Sequence, residues 1–254
     1  MFPADHIGNA LRDGLQQPLQ RLLLSSPTAA AFAQDAASLS PRVLVRHTAE
    51  HVFRIRMFRS LDADATRRMQ SASPDIAEIW ARYARSEAVH DRYFLRDLGA
   101  LGVGRETVEA LSPFAATGRL GAFIEHAMAV YGPLPVVLYS FWAEQNSDVG
   151  SSAVIASARA AFGSEAVRGA SAHRALDDGQ DHPALINRVL AGLIHDETEL
   201  LLALSLLEAI TGFIQQYFQE LDEWSRSDEP DVTAMAASIE RLAVQAAAAD
   251  NAAR

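Results

Sequence analysis

The stretch WARYARSEAVHDRYFLRDL, residues 80–98, combines an apolar helical period with a carboxylate and an imidazole. Because Glu87 and His90 share the stripe of this helix that is predicted to face the core, both side chains should point inward. An uncompensated charge there costs several kcal/mol. A metal ion suits a Glu-x-x-His pair, although a hydrogen bond from His90 to Glu87 or to a backbone carbonyl would also satisfy the histidine. The stripe consists of Trp80, Tyr83, Glu87, His90, Asp91, Phe94 and Leu98.

The same helical period extends over nearly the whole chain, and β-branched runs are rare. The 254 residues, 49% of them hydrophobic, are enough for one large all-α domain over 1–254. We expect N-terminal helices to about residue 40, a metal-binding bundle core over 42–224, and a peripheral helix or tail over 231–254. The helices are predicted at 6–24, 28–37, 42–61, 74–102, 105–111, 118–131, 134–162, 164–180, 184–224 and 231–249.

Composition excludes several kinds of chemistry. Cysteine is absent, which removes disulfides, thiolate nucleophiles and thiolate metal sites. All 22 basic residues are arginine, which removes Schiff-base chemistry and the phosphate-binding lysine of nucleotide loops. A net charge of −10 argues against nucleic acid or an anionic membrane as a partner. With no secretory signal and no apolar run of roughly 18 residues, we expect a cytoplasmic protein with a small-molecule substrate. Its oligomeric state stays open between monomer and homodimer.

Two further helices carry one carboxylate each that could join Glu87 and His90. Glu50 lies beside the apolar stripe of its helix rather than at its centre, so a solvent-facing position explains it equally well. Glu144 follows ten residues without another charge, which favours burial as a metal ligand or as half of a buried pair.

A fourth segment, SAHRALDDGQDH over residues 171–182, is rich in imidazole and carboxylate groups. His173 and Asp177 lie four residues apart on one helical face, and Asp178 and His182 repeat that spacing on the next face. A solvated turn explains this cluster equally well. Together, however, the four segments supply the carboxylates and imidazoles with which helical bundles hold paired iron or manganese ions.

The order and spacing of these residues resemble the heme-oxygenase-like diiron oxidases over about residues 42–190. The likeness rests on an early Glu, then Glu-x-x-His, a later Glu, and His-x-x-x-Asp. It implies a heme-oxygenase-like helical bundle that holds two iron ions and uses dioxygen as co-substrate. The implied reaction is oxidation of a small molecule such as an amino acid, amine or fatty acid, in a biosynthetic pathway. The implied metal ligands are Glu50, Glu87, His90, Glu144, His173, Asp177 and His182.

One position departs from the family pattern, which continues as His-x-x-x-Asp-x-x-His. This sequence has Gln180 at the last position and His182 two residues later. A local bulge could bring His182 to the metals, or Asp178 or Asp181 could replace it, or the second iron could be lost. We expect the second iron to bind more weakly than the first.

Other members of the same fold fit less well. Heme oxygenase itself needs an early proximal histidine, for which only His6 is present, and thiaminase-type relatives use a cysteine nucleophile. A ferritin-like bundle would need a second Glu-x-x-His, which this sequence lacks. A non-catalytic helical binding protein of the same fold remains the alternative.

Aromatic and arginine side chains are candidates for contacts with the substrate. Aromatic rings could line an apolar pocket beside the metals, and a guanidinium could bind a carboxylate through two hydrogen bonds. Core packing explains the aromatic residues equally well, and surface solvation explains the arginines. The predicted contacts are Tyr83, Phe94, Phe141 and Arg174, with Arg54 as a second arginine of this kind.

Overall fold

The computed structural model describes residues 3–35 and 38–227, without the side chains of 147–151 and 177–180. Within these residues the chain forms eleven α-helices and no strand, as the helical period predicted. The elements are α1 (Ala4–Ser25), α2 (Pro27–Gln34), α3 (Pro41–Ala72), α4 (Pro74–Glu87), α5 (Asp91–Ala100), α6 (Arg105–Ala110), α7 (Ala115–Tyr131), α8 (Leu134–Phe162), α9 (Arg168–Gln180), α10 (His182–Leu193) and α11 (Glu197–Ser225), with a 3-10 turn at Ser164–Val167 before α9.

Several helices begin at a Ser-Pro pair, because proline at the first helical position loses only an N–H that has no helical partner. Before α2, the Ser26 side chain accepts a hydrogen bond from Ala29 N, and before α3 the Ser40 side chain accepts one from Val43 N. Ser73 precedes Pro74 in the same way, but its hydroxyl makes no capping bond.

The largest differences from the predicted helices are one wrong end and two unpredicted interruptions. Helix α3 continues to Ala72 instead of ending at residue 61. The predicted helix over 74–102 is interrupted between α4 and α5, and the one over 184–224 is interrupted between α10 and α11. At the second interruption Asp196 accepts a hydrogen bond from Glu199 N and so caps a new helix.

Packing of these helices places residues 80–98 where several helices meet. Helix α3 packs on α4 and α5, while α11 packs on α1 and α7. The end of α4 meets α10, α5 meets α9, and α8 meets both α9 and α10. Trp80, Leu120, Leu138 and Phe141 are fully buried in the main core.

Three further expectations concern membrane-spanning helices, the C-terminal helix and the number of domains. Among the described helices, none combines the length and apolar character needed to cross a bilayer. The helix predicted over 231–249 lies outside the described residues. The division of the chain into one domain of 1–254 stays a prediction.

Candidate metal centre

The Glu-x-x-His pair lies at the junction of two helices rather than inside one. Glu87 is the last residue of α4, and His90 immediately precedes α5. Between them the backbone tightens: His90 N donates to Glu87 O at 3.1 Å, and Tyr93 N donates to His90 O at 3.0 Å. Such 3-10 geometry within a helical run often marks a functional site. The turn leaves Glu87 Oε2 3.0 Å from His90 Nδ1.

Asp91, which the pattern placed on the same inward stripe, instead anchors this junction to α3. Its carboxylate accepts hydrogen bonds from Arg56 Nε at 3.1 Å and from Arg59 Nη2 at 2.9 Å. As a carboxylate in the first turn of α5 it also interacts favourably with the helix dipole. The two ion pairs therefore hold the start of α5, and His90 beside it, against α3.

The position of His173 depends on contacts between the start of α9 and α5. The Asp97 carboxylate accepts hydrogen bonds from Gly169 N at 2.6 Å and Ala170 N at 2.7 Å. A Cβ at Gly169 would lie 2.0 Å from Tyr93 O, so only glycine allows the two helices to approach this closely. One turn later, the His173 ring centroid lies 4.2 Å from that of His90.

His182 reaches the same region through a break after α9. Helix α9 ends at Gln180, Asp181 adopts the left-handed conformation with φ 49° and ψ 47°, and α10 starts at His182. Of the arrangements left open for this segment, the structure shows a local distortion that brings His182 inward. Its Nδ1 lies 3.4 Å from Glu87 Oε1 and 3.3 Å from Glu144 Oε1.

Two groups of metal-ligand atoms result, and they share Glu87. One group is Glu87, His90 and His173; the other is Glu87, Glu144 and His182, and within each group the ligand atoms lie within 4.8 Å of one another. Glu87 Oε2 faces His90 whereas Glu87 Oε1 faces His182. Imidazole and carboxylate ligands in these proportions suit iron and related first-row ions, and the shared carboxylate can bridge two of them.

Polar atoms in this cluster support the fit of a cation. Glu87 Oε1 is buried and has no hydrogen-bond partner among the described residues, although buried polar atoms are nearly always satisfied. His90 Nδ1 is also buried, and its 3.0 Å contact with Glu87 Oε2 does not have the geometry of a hydrogen bond. The Ser86 hydroxyl donates to Tyr83 O at 2.7 Å, so it can only accept from His182 Nε2 at 3.3 Å. The Nδ1 of His182 therefore faces the two carboxylates and needs a metal ion or a proton there.

Asp62 is a carboxylate near this cluster that sequence reasoning missed, because α3 was predicted to end one residue before it. Its Oδ1 is buried without a hydrogen-bond partner among the described residues. Burial, and then the neighbouring charge of Glu87, raise the pKa of Asp62 to about 7. The available signal was a stripe of Phe58, Ala65 and Met69 at helical spacing through Asp62, all of which are buried.

Glu50 does not lie in either ligand group, contrary to the expectation that it supports the second metal. Its fully buried carboxylate accepts hydrogen bonds from Arg46 Nη2 at 2.8 Å, Phe114 N at 2.9 Å and Thr117 Oγ1 at 2.6 Å. The arginine and the free N–H groups at the start of α7 compensate the charge instead of a metal. The other expected ligand, Asp177, has its side chain outside the described residues.

A cavity of about 500 Å³ adjoins the cluster, and Glu87, Glu144 and His173 form part of its wall. Tyr83 and Phe94, two of the predicted substrate contacts, also line it. The other two predicted contacts, Phe141 and Arg174, do not line this cavity.

Phe141 is 1% exposed and belongs to the main core rather than to the cavity wall. Arg174 lies beside a separate depression with Arg159 and Ser171.

Solved structures similar to this chain share its fold. A domain of unknown function with a heme oxygenase-like fold from Shewanella denitrificans superposes with a TM-score of 0.73, at 18% identity over 87% of this chain and 95% of that one. A TenA homolog from Pseudomonas syringae pv. tomato gives 0.65, at 13% identity over 84% and 91%. A CADD-like protein of unknown function from Nostoc punctiforme gives 0.63, at 16% identity over 88% and 99%.

The chain therefore has the heme-oxygenase-like fold that the sequence resemblance implied. No protein-family model matches the sequence, and no curated protein matches it. Because fold alone does not determine function, the activity has to be argued from the site.

Proposed function

We propose that this protein is a non-heme diiron oxidase or oxygenase that uses dioxygen to oxidise a small molecule such as an amino acid, amine or fatty acid. The observation that carries the proposal is the position of Glu87, whose two carboxylate oxygens each face a different histidine, His90 and His182. A carboxylate shared between two imidazole-containing groups is suited to bridge a pair of metal ions.

Two irons bound in these groups would supply the reduction of dioxygen and the oxidation of the substrate. The side chains of this protein hold and orient that pair. Tyr83 donates a hydrogen bond to Glu144 Oε1 at 3.2 Å, and Ser86 accepts one from His182 Nε2. Such outer contacts fix ligand orientation and tautomer. The cavity beside them is largely apolar, so a substrate that fills it would displace water from the reacting groups.

Iron counting on ligand variants tests the metal centre. Ferrous iron is added without oxygen, excess iron is removed, and bound iron is measured per chain. The wild type should retain between one and two, because the second iron is expected to bind more weakly than the first. His173→Ala and His182→Ala each disrupt one ligand group and should each retain close to one, whereas Glu87→Ala disrupts both and should retain none. The exposed Glu125→Ala variant is the matched control and should behave as wild type.

Oxygen consumption then tests the reaction. The ferrous protein is mixed with oxygen and a panel of amino acids, amines and fatty acids, with visible absorbance and product mass followed in parallel. Oxygen uptake coupled to product in the wild type, and absent in Glu87→Ala, supports an oxidase. Retention of no iron by the wild type, or no uptake with any substrate, supports the non-catalytic binding protein instead.

A further inference from the structure

The cavity beside the metal centre also contains a buried cation. Arg54 of α3 lines the cavity and is only 8% exposed. Its guanidinium lies 4.6 Å from the Tyr217 ring centroid, and its Nη2 lies 3.0 Å from His51 Nδ1. Its Nη1 is buried without a hydrogen-bond partner among the described residues. No described carboxylate lies within ion-pair distance of this guanidinium.

Among the described residues no carboxylate pairs with Arg54, although the Tyr217 hydroxyl hydrogen-bonds to its guanidinium and Glu50 attracts it electrostatically. Burial and the nearby cation lower the pKa of both His47 and His51, so the two imidazoles are uncharged at neutral pH. Burial raises the pKa of Tyr217 to well above neutrality, so its hydroxyl is uncharged too. Glu50, the carboxylate that acts on Arg54 electrostatically, is already bound to Arg46 and to the start of α7.

A buried guanidinium without a counter-ion is unfavourable, and an anionic ligand would remove that cost. Guanidinium groups recognise carboxylates through two parallel hydrogen bonds. The unsatisfied Nη1 is the donor that such a ligand would use.

Aromatic contacts connect this cation to the metal centre. The Phe94 ring centroid lies 5.1 Å from that of His51 and 5.4 Å from that of His173. All three residues line the same cavity, so the arginine and the metal ligands face one continuous space. Most of the remaining wall is apolar and includes Leu19, Leu23, Phe32, Phe58 and Trp142.

We propose that Arg54 binds the carboxylate of the substrate, which is therefore an amphipathic carboxylic acid rather than an amine. The apolar part of the molecule lies along the cavity and extends from Arg54 towards Glu87, Glu144 and His173. At the Arg54 end of the cavity the guanidinium would repel a cationic amine. Oxidation of this acid rests on the proposed function. Its binding at Arg54 does not, because Arg54 is not a metal ligand.

Calorimetric titration with three eight-carbon probes of different charge tests the proposal. Octanoate, octanol and octylamine are titrated into metal-free protein, where the acid has no iron to bind. Octanoate should bind at least about tenfold more tightly than octanol, because a hydrogen bond to a charged group is worth that much. Octylamine should not lose affinity when Arg54 is replaced, because a cation would bind the carboxylates of Glu87 and Glu144 in the same cavity.

Arginine variants assign the preference to one residue. Arg54→Gln should weaken octanoate binding by about tenfold or more and leave octanol within about twofold, and Arg54→Lys should keep part of the preference for the acid. Arg174→Gln is the matched control and should bind octanoate as wild type does. Circular dichroism and melting curves establish that each variant is folded.

Two results would overturn the assignment. Equal binding of octanoate and octanol by folded wild-type protein would show that the cavity has no anion site. Octanoate binding that needs iron and is unchanged in Arg54→Gln would place the carboxylate on the metals instead. If the protein does not bind iron, the proposed function is wrong. The octanoate test still applies, because the first titrations contain no iron.

Discussion

Buried carboxylates in this protein are compensated in different ways, and Glu50 and Glu87 show the contrast. The hydrogen bonds to Glu50 come from an arginine, a hydroxyl and a backbone N–H, all within protein. Glu87 instead faces two imidazoles and keeps one oxygen without a hydrogen-bond donor among the described residues. The first pattern stabilises the fold, whereas the second calls for a cation.

Glu50→Ala should therefore destabilise the protein without removing metal. Breaking a buried ion pair on one side costs roughly 3–5 kcal/mol, because the Arg46 charge stays buried without the Glu50 carboxylate. Urea unfolding measures this loss, and iron per chain should stay at the wild-type value. Glu220→Ala is the matched control, since Glu220 also accepts from the start of α7 but lies partly exposed, and its loss should cost about 1 kcal/mol or less. Loss of iron in Glu50→Ala with little change in stability would contradict this role.

The histidines beside Arg54 should make the protein sensitive to acid. Burial first and Arg54 second lower the pKa of His51 from 6.5 to about 3. Below pH 6.5 the unfolded chain binds a proton that the folded chain does not, so stability falls as pH drops from 6.5 towards 3, by about 1.4 kcal/mol per pH unit for this group. His51→Gln should reduce the slope of unfolding free energy against pH between 7 and 5.

Urea unfolding of metal-free protein at a series of pH values measures that slope. His126→Gln serves as the control because His126 is exposed, and it should leave the slope unchanged. An unchanged slope in His51→Gln would mean that this imidazole takes up its proton in the folded state.

At the scale of elements, the approach of α9 to α5 determines where one histidine lies. Asp97 accepts the free N–H groups of Gly169 and Ala170, and the glycine permits contact with the backbone of α5. This contact places His173 beside His90. In the other ligand group, the position of His182 depends on the left-handed backbone conformation of Asp181, immediately before α10.

Gly169→Ala should impair the ligand group that contains His90 and His173 and leave the other ligand group intact. The added Cβ would meet Tyr93 O, so α9 must shift, at a cost of roughly 1–3 kcal/mol. Iron per chain should fall towards the value of His173→Ala, because only the group with His90 loses its geometry. Gly118→Ala is the matched control: it lies exposed in α7 with nothing within 4 Å of the added carbon, so it should stabilise by about 0.5–1 kcal/mol. Full iron binding by Gly169→Ala would show that this contact does not position His173.

At the scale of the whole molecule, the ligands come from segments that are distant in sequence. Residues of α4, the α4–α5 junction, α8, α9 and α10 meet only when the bundle is assembled. A metal that binds here therefore binds the folded chain and not the unfolded one.

Metal binding should accordingly raise the melting temperature. At a free metal concentration of about one hundred times Kd, the folded state gains about 2.7 kcal/mol, which corresponds to a shift of about 5 °C for a chain of this size. Scanning calorimetry with ferrous iron, without oxygen, measures the shift, and Glu87→Ala should show none. Equal shifts in both proteins would indicate binding elsewhere on the acidic surface.

Local sequence properties were sufficient to predict that the chain is helical and to predict most of the residues that meet at the centre. The helical period and the Ser-Pro starts are local properties, and they are retained in the fold. The inward position of Glu87 follows from that period, because it defines which face of a helix is buried. Glu144 was predicted from the uncharged stretch before it, whereas His90 reaches the centre through the turn between α4 and α5, which the period did not predict.

The groups that compensate each buried charge could not be predicted before the helices were packed together. The period could not show that Glu50 would meet the start of α7, that Asp62 would lie near Glu87, or that Arg54 would lack a counter-ion. Likewise, the break at Asp181 that turns His182 inward is a single backbone conformation without a strong signal in the sequence. Periodicity gives the direction in which a side chain points, whereas its partner depends on the neighbouring helix, which is set by packing across the whole bundle.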